Sequence, residues 1–217
     1  MTTTRSLRED LVNAFDYLTV SELAIYSNQV SISGTKVSFH SLDTSIPFIL
    51  ERENHTIAQY KSWVNAGAYS VLLLDGSLLQ ITYEVGAGKI IGHRLAYIPC
   101  PYDIDRDLLV SGEPILDIIG LYSQTDLVLR SPIRFDFDPQ AASPEHPAVH
   151  FTINNSNCRI ACAAAFHPLK FLDFVFRNFY PKYWKNHQSF FLQGAYRDIK
   201  HDLDVDFDKK IPHFSWK

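Results

Sequence analysis

Residues 69–98 read YSVLLLDGSLLQITYEVGAGKIIGHRLAYI. Three apolar runs are separated by Asp75-Gly76 and by Gly86-Ala87-Gly88. Asp-Gly between apolar runs is a strong hairpin marker, because glycine adopts positive φ without a Cβ penalty. The stretch predicts a three-stranded antiparallel meander. Toward the N-terminus, 29–33 (QVSIS) and 36–40 (KVSFH) alternate around a turn at Gly34-Thr35, which predicts a hairpin. Toward the C-terminus, strands are expected at 126–137, 148–153 and 157–163, with Asn154-Asn155-Ser156 as the turn between the last two.

Helices flank these strands. Residues 5–25 carry Leu7, Leu11, Phe15 and Leu18 at helical spacing, with Ser6 and Glu9 in capping-box positions. A second helix is expected over 54–66, stopped by Gly67. A third spans 113–122 with Pro114 in its first turn. A fourth is opened by Pro168, stopped by Pro181 and apolar over a wide arc. The aromatic and charged tail, 182–217, has no clean period and is expected to hold one more helix and a closing segment. Hairpins dominate and no βαβ alternation occurs. The expected fold is α+β: a single domain over 1–217 with a large antiparallel sheet of meanders and hairpins, partly covered by helices.

The chain has 217 residues, enough to bury a sizeable core. Its formal net charge of −4 supplies no global basic field for nucleic acid, though a local patch remains open. Three cysteines, Cys100, Cys158 and Cys162, show neither disulfide-framework nor zinc-knuckle spacing. Cys158 and Cys162 are expected on one strand face as buried small thiols. The N-terminus lacks the apolar segment of a signal peptide, and no run approaches about 18 apolar residues. The expectation is a cytoplasmic protein without a membrane span.

Four groups carry possible chemistry. Asp136 and Asp138 share one face of a strand whose other face holds Phe135 and Phe137. If 148–153 pairs back, His150 falls near the aspartates, and His146 joins only if its Pro-bounded loop folds back. Carboxylate plus imidazole suits a divalent metal or an acid–base pair. The plainer alternative is the solvent face of an edge strand. Arg94, in an apolar strand, suits a phosphate or carboxylate, or a structural ion pair. Arg134, Arg159 and Arg177 could converge as an anion site, although Asp173 one turn from Arg177 offers a local partner. Basic residues among aromatics at 182–200 suit single-stranded nucleic acid, but the DLDVDFD that follows cancels their charge. Nucleotide-loop, nucleophile-elbow and zinc-protease motifs are absent from the sequence.

The strings HRLAYIPCP and RFDFDP…HPAVHFTI…NCRIA…HPLKFLDFVFRNFYP resemble a bacterial domain-of-unknown-function family, number 2290. The resemblance covers about residues 5–185. His146, Pro147 and His150, the CRI at 158–160 and the FxxFxxRNFYP ending at Pro181 carry it best; Ala161 stands where a Pro is expected. It implies a stand-alone bacterial protein without an established activity, of a kind found beside mobile-element or phage-defence genes, and it transfers no catalytic residue.

The leading expectation is a non-enzymatic binding or scaffold subunit of a bacterial multi-protein system, with anti-phage defence as the setting. Its partner would be a protein encoded nearby, docked through 182–217. The first alternative is a metal-dependent nuclease or phosphodiesterase using Asp136, Asp138 and His150 with a divalent metal. The second is a nucleotide or nucleic-acid sensor using Arg94, Arg134, Arg159 and Arg177.

Overall fold

Strand alternation in the meander sorts its side chains onto two faces, and both faces are covered. The computed structural model describes residues 1–42, 45–51, 56–143, 145–193 and 213–214. In chain order the elements are α1 (Thr4–Val20), β1 (Ala24–Ser27), β2 (Val30–Ser33), β3 (Lys36–Phe39), α2 (Ile57–Asn65), β4 (Val71–Leu73), β5 (Leu78–Gly86) and β6 (Lys89–Ile98). Then follow α3 (Arg106–Val110), α4 (Ile115–Gly120), β7 (Ile133–Phe137), β8 (Val149–Ile153), β9 (Arg159–Cys162), α5 (Pro168–Phe179), α6 (Pro181–Asn186), α7 (Gln188–Phe191) and β10 (His213–Phe214).

The sheet runs β1-β4-β5-β6-β7-β8-β9-β10, with the β2–β3 hairpin joined to β5 through β3. Every pairing is antiparallel except β9 with β10. Strand β5 shares one edge between β4 and β3 and gives the other to β6. The α+β class and the antiparallel sheet are as the sequence predicts.

One face carries Leu79, Ile81 and Tyr83 of β5, Leu95 and Tyr97 of β6, and Phe135 and Phe137 of β7. These pack with Leu7, Leu11, Phe15 and Leu18 of α1 and with Phe171, Leu172, Val175 and Phe176 of α5. The other face places Leu78, Ala96 and Ile98 beneath Tyr60 and Trp63 of α2 and Ile115, Ile118 and Ile119 of α4. Burial of both faces explains why β5 and β6 read as nearly continuous apolar runs.

The Asp75-Gly76 turn is clamped from both layers. Asp75 accepts hydrogen bonds from the Ser77 amide (2.9 Å) and from the Tyr180 hydroxyl (2.9 and 3.0 Å), while Tyr60 donates to the Gly76 carbonyl. Gly76 has φ +84°, and a Cβ there would stand 3.1–3.3 Å from Ile115, Cys100 and Ile104. Only glycine fits both the backbone and the space.

Several expectations are corrected. The first helix stops at Val20, and residues 24–27 leave it as β1 to pair with β4. Its cap is Thr3 with Ser6, each side chain bonding the other's amide at 3.0 Å, not Ser6 with Glu9. The strand expected over 126–137 is confined to 133–137, because Pro132 has no N–H for the ladder. Cys158 is exposed in the β8–β9 turn, whereas Cys162 is buried on β9. Residues 182–193 are not a free docking tail. They form α6 and α7, with Phe191 fully buried and Phe190 stacked on Tyr17 at 3.7 Å. The basic and acidic runs over 194–212 lie outside the described residues.

Candidate functional site

Strand register aligns a polar row across the second face. Ser38, Thr82, Arg94, Asp136, His150 and Ala161 are successive cross-strand partners. Beside it runs a second row of Gln80, Ala96, Arg134, Thr152 and Arg159. Asp136 and His150 are therefore brought together as the sequence alternation suggests, with the phenylalanines on the opposite face. The aspartate is not at a solvent face: Asp136, Arg134 and His150 are all buried.

Residues 45–51 provide the cover. Ile49 is fully buried; its amide donates to Gln80 Oε1 at 3.1 Å and its carbonyl accepts from Arg134 Nη1 at 2.6 Å. Trp63 Nε1 donates to the Pro47 carbonyl at 2.9 Å. Arg134 Nε reaches Asp136 Oδ2 at 2.7 Å. Arg94 Nε approaches Asp136 Oδ1 at 3.3 Å, its Nη1 pairs with Glu51, and its guanidinium lies 5.6 Å from the Phe48 ring centre. Burial alone would raise the Asp136 pKa, but His150, Arg134 and Arg94 outweigh it and hold the carboxyl well below the usual range.

His150 Nδ1 donates to the Pro147 carbonyl at 2.8 Å, which fixes the ring. Its Nε2 lies 3.2 Å from Asp136 Oδ2 but off the line for a hydrogen bond, and is buried without another partner. The Pro-bounded loop does fold back: Ser143 and His146 form an isolated bridge, and the His146 ring stands edge-on to His150 with centroids 4.5 Å apart. His146 Nδ1 is also buried without a partner. Burial, His150 and Arg159 push the His146 imidazole below its ordinary value, with Asp136 and Asp138 opposing. Thr152 Oγ1 and Arg159 Nε complete a set of four orphaned polar atoms on β8, β9 and this loop. Such groups are costly to bury unless something satisfies them. Arg159 is half-buried and, among the described residues, has no ion-pair partner.

Two candidates are held by local partners. Asp138 accepts from the amides of Gln140 (3.1 Å) and Ala141 (3.2 Å) and closes the turn after β7. Arg177 sits on α5, against the phenylalanine face, bonded to Asp173 at 3.0 and 3.2 Å and stacked 4.2 Å from the Trp184 ring centre. The anion cluster of Arg134, Arg159 and Arg177 does not assemble around Arg177. Among the described residues no three His, Cys, Asp or Glu side chains group as metal ligands. Sequence reasoning missed Thr152 and Glu51. A threonine in a strand is unremarkable, and Glu51 belongs to a covering segment without periodicity.

Helices on both faces of one open sheet define an α+β domain, and its second face carries a buried ion-pair row beside an arginine without an ion-pair partner among the described residues. Residues 21–216 match the family model described as Uncharacterized conserved protein (DUF2290), and the chain belongs to that family. The match begins after α1 and runs past Pro181, farther than the motifs alone reach. Comparison with curated proteins and with solved structures gave no match. Among the described residues no helix is long and apolar enough to cross a membrane.

Proposed function

We propose that the protein is a non-enzymatic binding module that holds an anionic, phosphate-type group against β8 and β9. The observation that supports this is the clustering around His150 of His146, Thr152 and Arg159 polar atoms that lack a hydrogen-bond partner among the described residues, beside a charge row that is already internally paired. Arg159 supplies a positive charge that has no ion-pair partner among the described residues, and Thr152 and His150 are more deeply buried than it. Arg94 and Arg134 position Asp136 and residues 45–51 and are not offered to a ligand.

Inorganic phosphate, titrated at low ionic strength with amide NMR shifts as readout, tests this. Arg159→Gln is expected to weaken binding by about 10–100-fold, the value of a hydrogen bond to a charged group. Arg177→Gln, on the opposite face, should leave it unchanged, and added salt should weaken it. Equal effects of the two variants would refute the assignment.

A partner-docking role has a separate observation in its favour. Leu127 and Leu129 project from the stretch before β7, with Leu129 fully exposed, and both line an apolar cleft of about 310 Å³ with Tyr60, Trp63, Pro99 and Pro101. An apolar cleft flanked by exposed leucines can seat an apolar side chain of a partner. Co-expressed with the products of its neighbouring genes, the wild type is expected to elute with a partner and Leu129→Asp to elute alone. Elution of both as free monomers would remove this role.

A further inference from the structure

On the polar face, Arg94 and Arg134 are matched by Glu51 and Asp136, which leaves Arg159 as the cation without a counter-charge among the described residues. A monoanion would be neutralised by Arg159 alone. A dianion would keep one negative charge against partly buried walls, which is unfavourable unless a second cation appears. His146 is placed to become that cation. Its ring is half-buried and edge-on to His150, and its Nδ1 has no hydrogen-bond partner among the described residues. The charged and titratable groups acting on it are His150 from β8, Arg159 from β9, and Asp136 and Asp138 from β7 and its end. In the free protein, burial and the neighbouring His150 and Arg159 favour the neutral ring. A dianion seated on Arg159 cancels one of those repulsions and adds an acceptor for an imidazolium N–H.

We propose that the site captures a tetrahedral dianion together with one proton taken from solvent onto the unprotonated nitrogen of His146. The ligand chemistry is a free dianionic oxyanion or the terminal phosphate of a monoester. This rests on the anion-site reading above. No bond of the ligand is made or broken; the ring lone pair takes a proton released by solvent or buffer, and the resulting N–H donates to the ligand.

Sulfate is the probe, because it remains dianionic where histidine titrates and its own charge does not confuse the reading. Calorimetric titration of the full chain near pH 7, in buffers of different ionisation enthalpy, counts protons taken up per sulfate. The expected result is close to one proton, with affinity rising as pH falls by up to about tenfold per pH unit. His146→Gln retains a donor and should still bind, more weakly, with proton uptake near zero and a flat pH profile. Methyl phosphate binding alongside sulfate supports a monoester ligand; sulfate binding with methyl phosphate excluded supports the free ion. Dimethyl phosphate, a monoanion, should bind without proton uptake or not at all. Arg159-dependent sulfate binding without proton uptake, or with uptake unchanged in His146→Gln, overturns the proton-coupled proposal alone. Failure of both sulfate and methyl phosphate to bind, or binding indifferent to Arg159→Gln, overturns the anion-site reading itself.

Discussion

Asp136→Ala is expected to lower the stability of the folded protein by about 3–5 kcal/mol, the typical cost of removing one partner from a buried ion pair. Asp136 accepts from Arg134 at 2.7 Å, lies 3.3 Å from Arg94 and faces His150 at 3.2 Å. Its loss strands the buried Arg134 guanidinium, leaving the Ile49 carbonyl as its one acceptor among the described residues. The large effect measures the penalty on the abandoned cation rather than the net value of the pair. Arg134→Met combined with Asp136→Leu should therefore recover much of the loss, since replacing both charges by apolar groups is often near neutral. Urea denaturation of the three proteins decides the matter. A loss below about 1 kcal/mol for Asp136→Ala, or a double variant less stable than the single one, would contradict the electrostatic account.

The second large effect concerns pH. His93, on the phenylalanine face of β6, accepts the Phe166 amide at Nε2 (2.9 Å), and its Nδ1 is buried without a hydrogen-bond partner among the described residues. Burial pushes the ring from 6.5 down to about 4, the Asp136 charge opposing only in part. The folded value lies below the unfolded one. The stability due to the neutral ring is therefore fully present above about pH 6.5 and is lost as pH falls toward 4. A depression of this size corresponds to about 3 kcal/mol at the acid end of that window. His93→Gln can still accept the Phe166 amide through its side-chain oxygen and does not titrate. It should flatten stability between about pH 6.5 and 4 while leaving the steeper loss below pH 4, where carboxylates such as Asp136 protonate. Denaturant titrations at three pH values across the window provide the check. An undiminished acid slope in His93→Gln would place its origin elsewhere.

Local chemistry accounts for what the sequence reading resolved. Asp75-Gly76, Gly34, Gly67 and the Pro168/Pro181 pair each act within a few residues, so the meander, the first hairpin, α2 and α5 could be placed before any tertiary contact was known. The face assignment of Asp136 against Phe135 followed from the period of two. What escaped depends on distant chain. Residues 24–27 continue a helical pattern and become a strand because Tyr26 and Ser27 meet Leu72 and Val71. The burial of Asp136 comes from Ile49 and its neighbours, more than 80 residues away in sequence. His146 could be placed only conditionally, because the loop bringing it back bears no pattern of its own. Arg177 illustrates the reverse case: its i,i+4 partner Asp173 was visible, and that local pair is the one the structure makes.

The polar row also bears on which sheet can form at all. Ser38, Thr82, Arg94, Asp136, His150 and Ala161 meet only when six strands are aligned in one register. Side chains alternate between faces, so a slip of one residue in β7 would drive Arg134 and Asp136 in among the phenylalanines and leave Phe135 facing the charges. The apolar residues alone discriminate weakly against such errors, because both faces of this sheet are greasy. An unpaired buried charge discriminates strongly, at several kcal/mol per misplaced ion. The ion pair that adds little to the depth of the native minimum thus raises its competitors, and the chain's choice among alternative alignments rests on it.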